Sequence, residues 1–317
     1  MKNNVLITIS VLLFSITANS QNATLSEVSG FENPESVAAY RQYLFVSNMG
    51  PKMEPMAKDG DGYISQLSRK DGKVIQLKYY TGLNSPKGLY IRCHTMYVAD
   101  VDKVVAIDLK TKKKLWEADF SKLGVNYLNY ITRACCGSIF VSATDKNVVY
   151  KICKKGTVIK QLAVKGNIEG ANGLYRGCCK LYIANYGRGG QTDGSYGAIC
   201  LLNKKYTIFK NGGIYDGIQR SCGKLIVSDW VSNNSVDNKA EGRIIVYKPC
   251  PKQMVTINLG RYINGPSDIF RDCKLYCLHW WCVFTSLKIV ILKRGQHSTE
   301  SARFFKNVFL IAKRNTK

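Results

Sequence analysis

The chain has 317 residues, 45% of them hydrophobic, and a formal net charge of +24 from 46 Lys and Arg against 22 Asp and Glu. The apolar fraction is that of an ordinary globular protein and excludes a largely disordered chain, and the length suits one large all-β domain. The charge speaks first to solubility and to attraction toward acidic partners, an acidic glycan among them; no basic stripe interleaved with aromatics accompanies it, so specific nucleic-acid recognition is not expected.

In chain order, Lys2, the apolar run Val5 to Ile16 and Ala18-Asn19-Ser20 read as the charged, hydrophobic and cleavage regions of a secretory signal peptide over residues 1–20. The run is shorter than the roughly 20 residues a membrane span needs. An exported protein without a transmembrane anchor is expected, extracellular or, in a bacterium, periplasmic.

From residue 31 one pattern recurs six times: an apolar run, a turn that often carries cysteine, then a β-rich tetrapeptide. The tetrapeptides are Phe45-Val-Ser-Asn48, Tyr97-Val-Ala-Asp100, Phe140-Val-Ser-Ala143, Tyr182-Ile-Ala-Asn185, Ile226-Val-Ser-Asp229 and Tyr276-Cys-Leu-His279. Their last residues are 52, 43, 42, 44 and 50 apart. Strand-rich units at that period predict an all-β fold, a six-bladed β-propeller of four-stranded blades over residues 21–292. Alternating stretches such as Lys103-Val-Val-Ala-Ile-Asp108 supply further strands, and Arg69-Lys-Asp-Gly72 is a hairpin turn. The last repeat is a strand short, and the segment before the first repeat, Asn22 to Phe31, is placed to complete it and close the ring. Residues 293–317 fall outside the pattern and read as a basic C-terminal tail, with Phe304, Phe305, Phe309 and Leu310 near helical spacing.

Twelve cysteines agree with export. Their places in the repeats suggest bridges from one blade's later turn to the next blade's early turn: Cys153 to Cys178 or Cys179, Cys200 to Cys222, and Cys250 to Cys273. No CxxC pair occurs and only 3 histidines are present, which argues against a structural zinc site. Asn22-Ala-Thr24 and Asn233-Asn-Ser235 are glycosylation sequons.

A propeller brings equivalent positions of its blades onto one axis. Each repeat opens on its innermost strand, and the second residue of these openings is Glu35, Lys87, Asn129, Asn172, Asp216 and Ser267. Two carboxylates and two amides on one axis suit one hard divalent cation, since Ca²⁺, Mg²⁺ and Mn²⁺ favour oxygen donors while Zn²⁺ more often recruits His or Cys. Other catalytic schemes do poorly. There is no Gly-x-Ser-x-Gly elbow, no phosphate loop and no dinucleotide fingerprint.

The set Glu35, Asn129, Asn172-Gly173 and Asp216-Gly217, in order at blade spacing, resembles the senescence marker protein and gluconolactonase family, which includes regucalcin. The resemblance covers about residues 31 to 280. It implies a metal-dependent hydrolase of lactones or related esters, with the cation (Ca²⁺, Mg²⁺, Mn²⁺ or Zn²⁺) held by Glu35, Asn172 and Asp216, and substrate met by Asn129. Tyr127 stands where that family has a substrate-clamping arginine, and Lys87 enters the ring. On this reading the cation polarises the carbonyl and activates water, and Asp216, or Glu35, takes the proton. Lys87 and Asn129 orient substrate or stabilise an oxyanion. Asn48, Asp100, Asn185, Asp229 and His279 form a second ring near the same mouth as supporting or specificity residues, and Asp100, Asp229 and Tyr127 are expected to meet substrate with Asn129 and Lys87. The expected ligand is a small lactone, ester or sugar-like molecule, and the expected state is a monomer. The alternative is a non-catalytic secreted propeller that uses the ring as a scaffold for an acidic or glycan ligand.

Overall fold

The computed structural model describes residues 24–189, 192–221, 223–230, 242–249, 251–258, 265–271, 280–285, 288–293 and 308–313. Five four-stranded antiparallel sheets follow one another along the chain. They are β2–β5 (Pro34–Tyr40, Tyr43–Asn48, Gly62–Ser68, Val74–Leu83) and β6–β9 (Pro86–Arg92, Thr95–Asp100, Lys103–Asp108, Lys114–Asp119), then β10–β13 (Leu128–Arg133, Ile139–Ala143, Val148–Cys153, Val158–Gln161). The last two are β14–β17 (Ala171–Arg176, Lys180–Asn185, Gly194–Cys200, Tyr206–Gly213) and β18–β21 (Tyr215–Ser221, Lys224–Asp229, Arg243–Pro249, Lys252–Asn258). In each, sequence neighbours are sheet neighbours, as in a propeller blade.

A further, five-stranded sheet joins the two ends of the chain. Its strands are β1 (Thr24–Ser29), β22 (Gly265–Arg271), β23 (Trp280–Thr285), β24 (Lys288–Lys293) and β25 (Val308–Lys313), in the order β1, β24, β23, β25, β22. The segment before the first repeat pairs antiparallel with β24, which is the closure its position led one to expect. The stretch expected to be a tail departs from expectation: Val308–Lys313 is a strand, antiparallel to β22 and parallel to β23. Its short continuous apolar run, Val308 to Ala312, lacks the polar interruptions of a surface helix's sequence and is of strand length.

The first strands β2, β6, β10, β14, β18 and β22 contact one another in cyclic order, with β22 returning to β2. Apolar cores lie between successive sheets. Phe45 and Ile64 pack with Met96, Val98 and Val105 of the next sheet, and Ala99 and Val104 pack with Leu128, Ile131 and Val141. Alternating residues of each strand supply both faces.

Every first strand is interrupted at the same place. The register shifts between Pro34 and Val37, Pro86 and Leu89, Leu128 and Ile131, Ala171 and Leu174, Tyr215 and Ile218, and Pro266 and Ile269. Such bulges re-aim side chains, and here they lie at the second and third residues of each opening. The serine of alternate tetrapeptides holds the bulge. Ser47 Oγ accepts from Ser36 N at 2.9 Å and donates to Lys87 O on the next sheet at 2.7 Å. Ser228 Oγ accepts from Gly217 N at 2.6 Å and donates to Ser267 O at 2.8 Å. Ser142 Oγ accepts from Tyr130 N at 2.9 Å.

The expected bridge from Cys153 is not formed. Cys153, Cys178 and Cys179 are free thiols, as are Cys93, Cys135, Cys136 and Cys200. The reason is local: Cys153, at the end of β12, turns toward its own sheet, where Ser138 Oγ lies 3.2 Å from its sulfur. Cys222, Cys250, Cys273, His279, Asn22, Asn233 and residues 1–20 lie outside the described residues. Among the described residues no helix is long and apolar enough to cross a membrane.

Candidate functional site

The six second-position residues are all buried polar groups: Glu35, Lys87, Asn129, Asn172, Asp216 and Ser267. Burying that much polarity without partners is costly, so the surroundings of each are informative. Asn172 Oδ1 is fully buried and has no hydrogen-bond partner among the described residues. Asn48 Oδ1 and Asn185 Oδ1 share that state, but their amide nitrogens point away from the ring, to Ser65 Oγ at 3.0 Å and to Ser195 Oγ and Tyr206 Oη at 3.0 and 2.9 Å.

Glu35 and Asp216 act on the same two phenols. Burial, then the charges of Glu35 and Asp216, push the Tyr127 hydroxyl well above its ordinary value. Burial, then Asp216 and Glu35, push Tyr186 up as well. Both phenols therefore stay protonated at neutral pH and present O–H donors beside two carboxylates.

Lys87 is almost fully buried, and its ammonium is engaged. Nζ donates to Pro55 O and, at 3.0 Å, to Ser85 O, and it lies 4.9 Å from the centroid of the Tyr127 ring. Tyr127, in the place of the arginine expected from the family resemblance, thus stacks beneath a cation. Pro55 belongs to the connection between β3 and β4. The same connection is fixed a second time where Lys58 Nζ donates to Asp102 Oδ2 at 2.6 Å and to Asn126 Oδ1 at 3.3 Å. It lies against the openings of the second and third sheets, with Met53 and Met56 exposed upon it.

Asp100, expected to meet substrate, is fully buried and accepts from the backbone N–H of Asn84, at 3.0 Å, and of Ser85, at 2.8 Å. Asp229 likewise accepts from Ile214 N at 3.2 Å. Both carboxylates hold the chain where it enters the inner strand of their own sheet, β6 and β18. The residue that follows each tetrapeptide, by contrast, reaches the mouth in two repeats. Tyr186 meets Trp230 edge-on, with ring centroids 5.8 Å apart at 79°. Neither was singled out in the sequence, although each stands one place beyond a tetrapeptide.

At the third position three residues are glycine because the next inner strand leaves no room for a side chain. A Cβ on Gly88 would lie 2.5 Å from Asn129 O, one on Gly173 2.1 Å from Asp216 O, and one on Gly217 2.5 Å from Ser267 O. The other three, Ser36, Tyr130 and Asp268, meet one another. Ser36 Oγ donates to Asp268 Oδ2 at 2.5 Å, and Tyr130 donates to the same carboxyl group. Tyr130 and Asp268 belong to strands on opposite sides of the cyclic order, so their bond crosses the axis.

Burial raises the Asp268 carboxyl from 3.8 to about 6, against the lowering effect of Ser36 and Tyr130. The folded protein therefore holds that proton more tightly than the unfolded chain. The associated stability is full below about pH 4 and is lost as pH rises through about 6, a difference of roughly 3 kcal/mol for a shift of this size. Asp268→Asn is expected to remove this slope from urea unfolding free energies measured between pH 4 and 6.5. An unchanged slope would assign the proton to another group.

No family model matches the chain, and no curated protein matches it in sequence. Solved structures do match its fold. Virginiamycin B lyase from Staphylococcus aureus superposes with a TM-score of 0.55 at 14% identity, over 78% of this chain and 78% of that one. Hydrazine synthase from Kuenenia stuttgartiensis gives 0.54 at 13% identity, over 78% and 73%. The extracellular domain of a B. thetaiotaomicron one-component system gives 0.55 at 12% identity, over 84% of this chain and 33% of that longer one. The chain is a β-propeller whose five four-stranded sheets are antiparallel. At these identities the likeness is one of fold alone.

Proposed function

We propose that the chain is a six-bladed propeller that binds one divalent cation at Glu35, Asn172 and Asp216 and hydrolyses a lactone or related ester of sugar-like character. The single observation that carries this reading is the buried, unpartnered Asn172 Oδ1 in a ring that also holds two carboxylates. An acceptor in that state suits a hard cation, for which amide and carboxylate oxygens are the usual donors. No three His, Cys, Asp or Glu side chains cluster among the described residues, so a cation here draws on amide oxygen as well as carboxylate.

When bound, such a cation supplies Lewis acidity to a carbonyl and lowers the pKa of water. The chain's own residues do the rest. Asp216, with Glu35 as the second candidate, receives the proton from the attacking water. Asn129 orients the substrate, and the protonated Tyr127 and Tyr186 donate hydrogen bonds to its oxygens. Tyr186 and Trp230 provide an aromatic wall for an apolar ring face. Lys87 positions Tyr127 and the Pro55 connection rather than gripping an anionic substrate, since its ammonium already serves Pro55 O and Ser85 O. The signal-peptide reading of residues 1–20 supports export of the enzyme.

A second reading is favoured by Lys87 itself. A fixed positive charge in the ring opposes a divalent cation nearby, which a non-catalytic propeller binding an acidic or glycan ligand tolerates more readily than a metal-dependent enzyme does.

Metal analysis and chelation separate the two. The purified protein is expected to hold about one equivalent of Ca²⁺, Mg²⁺, Mn²⁺ or Zn²⁺ and to lose turnover of a lactone panel in EDTA, with recovery on adding the cation back. Turnover indifferent to EDTA would overturn the metal mechanism, and no retained cation in excess Ca²⁺ would leave the binding propeller.

A further inference from the structure

The other end of the inner strands carries a second set of repeat-locked residues. Four places beyond the candidate cation ring stand Arg133, Arg176, Arg220 and Arg271, spaced 43, 44 and 51. Arg92 stands one place further on in its own repeat. Four residues of extended chain put this level about 13 Å from the ring, beyond the Ser36–Tyr130–Asp268 cluster. A cavity of about 230 Å³ opens there; aliphatic and aromatic side chains make most of its wall, and Thr132, Arg133, Arg176 and Gln219 are its polar members.

The guanidinium groups are held in place without being neutralised. Arg176 donates to Gly177 O and Cys178 O, and Arg133 Nη2 donates to Arg176 O at 3.4 Å. Arg220 lies over the Tyr182 ring at 5.9 Å. Among the described residues none of Arg92, Arg133, Arg176 and Arg220 is ion-paired with a carboxylate; arginine pairing occurs instead at Arg188, with Asp193 and Glu169. Asp268, behind Tyr130, has its carboxyl group taken by Ser36 and Tyr130. A guanidinium has five donors in a planar fork, so those not spent on carbonyls remain for a ligand.

We propose that this cavity is a binding site for a small multivalent oxyanion of the phosphate or sulfate class. Arg133 and Arg176, both in the cavity wall, each offer the planar guanidinium fork that such an oxyanion fits, and Thr132 and Gln219 add neutral donors. Guanidiniums already held by backbone carbonyls lose little freedom on binding. The site is separate from the candidate cation ring, and the proposal does not rest on the hydrolase reading.

The test is calorimetric titration of the full chain with inorganic pyrophosphate. Saturable binding is expected, and Arg133→Gln with Arg176→Gln is expected to weaken it by at least about tenfold. Lys112→Gln with Lys113→Gln, which removes the same charge elsewhere, leaves it within about twofold. Arg133→Lys with Arg176→Lys keeps the charge but not the fork; intermediate weakening supports the site even if the glutamine pair folds poorly. Asp216→Ala leaves pyrophosphate binding unchanged, whatever it does to hydrolysis. A sulfated oligosaccharide displaced by pyrophosphate identifies a larger ligand's end group as the source, and pyrophosphate binding alone identifies a free phosphate compound. Absence of saturable binding, or equal weakening by the two glutamine pairs, overturns the proposal in favour of diffuse surface charge.

Discussion

Asp216→Ala is expected to abolish retention of the divalent cation and to lower kcat/KM for lactone hydrolysis by at least about 100-fold, the scale of losing a general base. The residue sits in the bulge of β18, one place beyond the buried Tyr215, where Ser228 Oγ braces the neighbouring Gly217 N at 2.6 Å. The substitution leaves that brace untouched, so the melting temperature should move little. Loss of the carboxylate also removes one of the two charges that raise Tyr127 and Tyr186, and a phenol titration shifted to lower pH would report it independently of activity. Asp216→Asn, which keeps shape and one oxygen donor, should retain more cation than the alanine variant. Full activity in Asp216→Ala would move the chemistry away from this ring.

The second large effect is expected from Gly173→Val. A Cβ at residue 173 would lie 2.1 Å from Asp216 O and 2.9 Å from Ile218 N, and both are backbone atoms that cannot rotate aside. The inner strands β14 and β18 would have to separate. The cost is roughly 3 kcal/mol or more, at the upper end of overpacking. Because Asn172 and Asp216 flank the contact, cation binding should fail together with stability. Gly177→Ala is the comparison: its Cβ would lie 3.0 Å from the Tyr182 ring and 3.4 Å from Lys180 O, which asks for a shift of a few tenths of an ångström rather than for separation of two strands. Chemical denaturation of the two variants checks the difference. Equal midpoints would mean that the strands are not packed as closely as described.

Much of this arrangement was legible because it is periodic. The tetrapeptides and the second-position residues recur at one spacing, and the structure buries all six of the latter. What escaped was whatever depends on direction or on remote partners. Ser36, Tyr130 and Asp268 look ordinary within their own repeats, and only closure of the strands into a cycle brings them together. Asp100 and Asp229 end their strands at the same register as Asn48 and Asn185, but spacing does not say whether such a residue faces the mouth or turns back onto backbone N–H groups. The alternate serines of the tetrapeptides were in plain view, and their task as braces between sheets follows only from the bulge. The thiol of Cys153 was assigned a partner by turn order, whereas its orientation is set by the pairing of β11 with β12. The strand at Val308–Lys313 was hidden because a short apolar run is compatible with either helix or strand.

The bond between Tyr130 and Asp268 has a kinetic meaning. It spans the axis between opposite strands, and so stands between the ring of Glu35, Asn172 and Asp216 and the cavity at the other end of the inner strands. In the proposed hydrolase, a molecule released in the ring of Glu35, Asn172 and Asp216 would leave by the side it entered, past the Pro55 connection and the Tyr186–Trp230 pair. On that proposal product and incoming substrate would compete for one corridor, and an oxyanion bound in the proposed chamber below would stand apart from that traffic.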